Sequence, residues 1–155
     1  MAIHTLFRKQ TIAASREAAW AFFSDPRNLA SITPREMGFE ILTPDLASHV
    51  YPGMVIAYRV RPLFGVPMKW LTEITQVKEG EYFVDEQRVG PYSVWHHEHW
   101  FRPTADGKVE VEDRVTYAMP FGWLGNLAHP VLVRPQLEKI FAYRQEVIGR
   151  VFPGS

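Results

Sequence analysis

His97 and His99 lie two residues apart in the run Ser93-Val94-Trp95-His96-His97-Glu98-His99-Trp100-Phe101. In an extended strand that spacing puts both imidazoles on one face, with Cα atoms roughly 7 Å apart. Zinc-binding strands use this spacing, and a carboxylate added nearby could complete three ligands. The same three groups could instead move protons. Histidine titrates close to neutral pH, and a carboxylate partner fixes its tautomer. The nearest candidate is Asp113, in the alternating stretch Val109, Val111, Asp113, Val115, Tyr117, which is opposed by Lys108, Glu110, Glu112, Arg114 and Thr116. That alternation turns the odd-numbered face inward.

Neither face of strand 93–103 is purely apolar, so its own pattern does not orient it. If its odd face is also inside, the connecting turn can be deduced. A two-residue loop, Asp106-Gly107, would set odd residues against even ones. A three-residue loop, Ala105 to Gly107 with Gly107 left-handed, restores the phase. His99 then stands opposite Asp113, His97 opposite Val115 and Trp95 opposite Tyr117. A metal needs deliberate geometry and satisfied outer partners, so hydrogen-bonded histidines on a cavity wall are favoured and no metal or cofactor is expected. A buried His99–Asp113 pair that only satisfies itself also accounts for these residues. No nucleophile constellation, phosphate loop or dinucleotide fingerprint is present.

The elements that must position these groups can be read outward from them. Ile3 to Ile12 reads as a first strand. Ser15 caps a helix over Arg16–Ser24 that buries Ala19, Trp20 and Phe23. Pro26 suits the first position of a second short helix reaching Ile32. Between Phe39 and Met119 turn residues punctuate β-branched and aromatic segments, giving strands over 39–43, 54–62, 67–77, 81–89, 93–103 and 108–118. From Leu124 onward the period changes. Leu137, Ile140, Phe141, Arg144, Val147 and Ile148 share one helical face. A helix over about 122–152 is predicted, kinked or broken between 129 and 136 by Pro130 and Pro135.

Composition narrows the class. The 155 residues suit one domain over 1–155. There is no cysteine, so disulfides and thiolate metal sites are excluded. Lys plus Arg (17) equals Asp plus Glu (17), which removes the basic excess that drives nucleic-acid binding. No run is apolar enough to span a bilayer and none resembles a signal peptide, so cytoplasmic residence is expected. Aromatic residues make up 14% of the chain, enough to fill a core and line a pocket for a flat or greasy molecule.

Several segments together resemble the START/Bet v 1-like (SRPBCC) superfamily, in particular its bacterial polyketide cyclase/dehydratase-like members. They are Asp25-Pro26-Arg27-Asn28-Leu29 with Thr33-Pro34 and Phe39; Trp70 with Ile74, Phe83, Asp85 and Gln87; Gly90-Pro91-Tyr92 with Trp95, His97, His99 and Phe101; and Asp113, Tyr117, Pro120 and Gly122 with Gln136 to Arg144. The resemblance covers essentially the whole chain in order, and supports the odd-in orientation of strand 93–103. It implies an α+β helix-grip fold: a bent seven-stranded antiparallel sheet around a long C-terminal helix, with two short helices between strands 1 and 2. It implies a cavity for a lipid-, sterol- or polyketide-like molecule, with no universal catalytic residues. The residues expected to line it are Ile56, Tyr58, Trp70, Phe83, Asp85 and Trp95, together with His97, His99, Phe101, Asp113, Tyr117 and Phe141. Two rivals remain: a metal-free cyclase or dehydratase using His97, His99 and Asp113, and a regulator that binds a protein partner.

Overall fold

The computed structural model describes residues 1–154. Strand β1 (Ile3–Ile12) leads into helix α1 (Arg16–Phe23), whose first turn is capped by Ser15 Oγ accepting from the Ala18 amide at 3.1 Å. Asp25 caps a 3-10 helix over Pro26–Ile32 in the same way, and a short 3-10 turn follows at Arg35–Met37. Six strands then meander: β2 (Glu40–Ile41), β3 (Val55–Val60), β4 (Met68–Lys78), β5 (Tyr82–Val89), β6 (Val94–Pro103) and β7 (Val109–Ala118). The seven strands form one antiparallel sheet in the order β1-β7-β6-β5-β4-β3-β2. With the long C-terminal helix this is the helix-grip architecture.

β2 is shorter than the predicted 39–43. The Thr43 hydroxyl, not a strand carbonyl, accepts the Ala57 amide, and Pro44 follows at once. Two register shifts in the β4–β5 ladder, at Leu71/Thr72 and Ile74/Gln76, add local twist of the kind that bends a sheet. The β6–β7 turn has the deduced form. Thr104 and Lys108 close a three-residue loop, Gly107 has φ 81°, and His99 pairs with Asp113, His97 with Val115 and Trp95 with Tyr117.

The C-terminal helix is not broken. Helix α2 (Gly122–Ala128) runs through a π-helical turn (His129–Val133) into α3 (Arg134–Val151). In the wide turn the Arg134 amide reaches five residues back to the His129 carbonyl. An extra residue is thereby inserted where Pro130 and Pro135 withhold their donors, and the helix continues. No described helix is long and apolar enough to cross a membrane.

Helix α2 is pressed against the preceding turn at Gly125, where a Cβ would stand 2.0 Å from the Pro120 carbonyl oxygen. Gly125→Ala should therefore cost about 1–3 kcal/mol, as overpacking does. Urea denaturation checks this, and an unchanged midpoint would show that α2 sits elsewhere.

Candidate functional site

Between the sheet and α3 lies a cavity of ≈ 540 Å³ whose lining is predominantly apolar. Strand alternation delivers its wall: Ile56 and Tyr58 from β3, Trp70 from β4, Phe83 and Asp85 from β5, and Trp95, His97 and His99 from β6. Phe141 and Arg144 of α3 face them. Trp70 and Trp95 meet edge to face with centroids 5.2 Å apart. Phe83 stacks on the His99 ring at 4.2 Å, and Phe141 meets His97 at 5.7 Å.

Three of the expected lining residues are corrected. Phe101 is not part of the wall; it is buried beneath α1, between Trp20 at 5.5 Å and Phe23 at 5.4 Å. Tyr117 lies outside it as well, with its hydroxyl 2.7 Å from His129 Nε2. Asp113 is buried beside the imidazoles and is not among the residues that line the cavity. Pairing across the ladder brought Asp113 to His99, but side-chain reach decided the bonds. His97 Nε2 donates to Asp113 Oδ1 at 2.8 Å, while His99 Nε2 donates to Asp85 Oδ2 at 2.6 Å. The crossed distances are longer, 3.4 Å for His99 Nδ1 to Asp113 and 3.7 Å for His97 Nδ1 to Asp85. The two rings stack, tilted by 31°, at 3.8 Å.

Sequence reasoning missed Arg144 as a site residue. Its NH2 group lies 3.2 Å from Asp113 Oδ1, both side chains are buried, and its Nε has no hydrogen-bond partner. The clue was a cation on the otherwise apolar stripe of α3. Gln87, which shares a face with Asp85, has a supporting task. It bonds both the amide and carbonyl of Tyr92, bracing the Gly90-Pro91 turn.

The cluster sets its own charges. Burial opposes the Asp113 anion, but Arg144 and the two histidines more than offset this, and its pKa falls well below the ordinary carboxylate value. Asp85 is lowered too, against burial, by the His99 bond and the nearby cations. His97 is pushed down by burial and by its neighbour His99. For His99, burial is outweighed by the two carboxylates, and its pKa rises. Protons therefore favour His99 over His97. His96, by contrast, points to the outer face and bonds Glu86 at 2.7 Å.

Residues 12–138 match the model of a family described as polyketide cyclase / dehydrase and lipid transport. Among similar solved structures is protein Ms6760 from Mycobacterium smegmatis, 20% identical over 97% of this chain and 91% of that one, with a TM-score of 0.68. The major latex-like protein 151 of Panax ginseng is 13% identical, covering 97% and 98%, with a TM-score of 0.68. A norcoclaurine synthase point mutant from Thalictrum, in complex with a transition-state analogue, is 12% identical, covering 97% and 96%, with a TM-score of 0.66. At these identities the likeness is one of fold. No curated protein matches the chain in sequence.

Two outcomes follow from the buried charges. Arg144→Met leaves Asp113 without its guanidinium and should cost about 3–5 kcal/mol. Adding Asp113→Asn should recover part of that, leaving the pair non-additive by roughly 0.5–3 kcal/mol in urea denaturation. Strict additivity would show that the two do not act as a unit. The depressed Asp113 carboxyl contributes stability that is complete above the unfolded carboxylate pKa and is lost as pH falls through its lower folded value. Asp113→Asn should therefore flatten the decline in urea midpoint between about pH 5 and pH 2.

Proposed function

This chain belongs to the polyketide cyclase / dehydrase and lipid transport family, and from that membership and the cavity we propose that it binds one small hydrophobic molecule between the sheet and α3. The carrying observation is the continuous apolar wall around ≈ 540 Å³. That volume falls within the range of about 300–1,000 Å³ typical of small-molecule sites. Trp70, Trp95, Tyr58 and Phe141 offer flat surfaces to a lipid-, sterol- or polyketide-like body. Asp85, His97 and His99 offer polar atoms on one stretch of the β5–β6 wall, which suits a ligand with a polar group at one end. Phe121 (82% exposed) and Leu124 (54%) belong to the lining yet reach solvent, marking the mouth beside α2.

Native mass spectrometry of the purified protein should reveal a retained apolar molecule. Added to the protein, that compound should raise the melting temperature, corresponding to about 2.7 kcal/mol at a hundredfold excess over its Kd. Ile140→Trp, which places an indole where a half-buried lining residue now stands, should abolish the shift while preserving the fold. Conversion of the bound compound over time would make the protein a cyclase- or dehydratase-type enzyme. If a broad apolar panel gives no shift and nothing is retained, the protein-partner reading takes its place.

A further inference from the structure

We infer that Asp85, His97 and His99 form a binding site for one divalent first-row metal ion of the zinc or iron(II) kind, open on one side to the cavity. One ligand atom from each of the three lies within 4.8 Å of the others. All three residues line the cavity, and both histidines are buried. Two imidazoles and one carboxylate form a donor set that first-row divalent ions accept while keeping positions free. The site goes beyond the ligand-binding reading and does not depend on it.

What distinguishes this trio from a chance cluster is what stands behind it. Metal-bound histidines donate their second nitrogen to a carboxylate or carbonyl, which fixes ring and tautomer. Asp113 already serves His97 in this way, accepting from Nε2 at 2.8 Å and leaving Nδ1 directed toward Asp85 at 3.7 Å. His99 mirrors it. Its Nε2 faces Asp85, while Nδ1, 3.4 Å from Asp113, is buried without a hydrogen-bond partner. With an ion on Nε2, Nδ1 carries the proton and Asp113 becomes its acceptor. Arg144 also holds Asp113 Oδ1, at 3.2 Å.

The charge count agrees. Two carboxylates, Asp85 and Asp113, and one guanidinium, Arg144, surround the two imidazoles, so a cation bound there meets an anionic ligand and an anionic orienting group. The movement required of Asp85 is small. Bonds of about 2.0–2.2 Å separate ligand atoms by roughly 3–3.5 Å. Asp85 Oδ2 must therefore withdraw from its 2.6 Å contact with His99 by under about an ångström, on the cavity side where there is room. The sequence alone favours hydrogen-bonded histidines without a metal, with Asp113 only a conceivable third ligand. The structure makes Asp113 the orienting group and brings Asp85 to the cavity.

The test uses the full chain, stripped with chelator and then titrated with Zn(II) or Co(II), with no apolar compound present. One equivalent of Zn(II) should survive desalting. Co(II) should give a visible absorption band and two exchangeable imidazole N–H proton signals shifted by the paramagnetic ion. Asp85→Asn and His97→Gln should each weaken Zn(II) binding at least tenfold. Asp113→Asn, which leaves all three ligands in place, should weaken it roughly 10–100-fold. His96→Gln, on the outer face, should leave it unchanged. Substoichiometric zinc, an absent Co(II) band, or equal uptake by Asp85→Asn would overturn the assignment. The wild-type spectra decide the matter even if a variant fails to fold. Failure here would leave apolar binding untouched, because that is measured by thermal shift without metal.

Discussion

The rest of the structure is organised around a buried carboxylate. Asp113 is only 6% exposed, in the middle of β7, and a charge so placed is expensive unless partners meet it on several sides. Its partners come from different elements: His97 and His99 from β6 and Arg144 from α3. Asp85 of β5 joins through His99. These contacts tie three adjacent strands to the helix that closes over them. A slip of one residue in the β6–β7 ladder would turn both histidines outward and leave the carboxylate without its imidazole partners. A rotation of α3 would withdraw the guanidinium. Hydrophobic burial supplies the bulk of the driving force and penalises the same slip, since Trp95 and Phe101 share the face of the two histidines; the ion cluster adds directional contacts that also fix the helix.

The cluster also lies on the boundary between two kinds of interior. On one side, Phe101 and Trp20 fill the space beneath α1 by direct ring contact. On the other, Trp70, Trp95 and Phe141 border open space. The composition of the two sides is nearly the same, so what separates core from cavity is backbone placement. Ser15 and Asp25 set α1 and the first 3-10 helix over one end of the sheet, where the rings can interdigitate.

This explains how much could be read from the chain alone. Elements and register were legible because they follow from local rules. The alternation of Val109 to Tyr117 oriented β7, and the Ala105-Asp106-Gly107 loop then fixed which residues face one another. Which oxygen each histidine takes was not legible. It depends on side-chain reach across a twisted sheet, and the nearest residue along the ladder need not supply the bond. Phe101 illustrates the same limit. Its alternation put it on the inner face, where it is, but only the position of α1 decides that the inner face is packed there. Arg144 was visible as an oddity on an apolar stripe, without a partner to give it meaning. The two prolines signalled a disturbed helix, but not that a wider turn would absorb them.

An open apolar space forfeits dispersion contacts that a filled core would make, so keeping one costs stability. A chain that retains it needs walls that resist collapse. Close-packed aromatic contacts give rigidity on the α1 side, while the cavity side has fewer neighbours to lean on. There the polar cluster is well suited to the task, because hydrogen bonds and ion pairs hold groups at set distances where apolar contacts allow sliding. The Asp85–His99 and His97–Asp113 bonds cross-link the wall from within the sheet, and Arg144 ties the helix to it at a set distance. Of these groups, Asp85, His97, His99 and Arg144 also line the open space. Cavity wall and ion cluster thus share one set of residues, so a substitution there that preserves the fold is the informative kind, and one that merely lowers stability says little beyond packing.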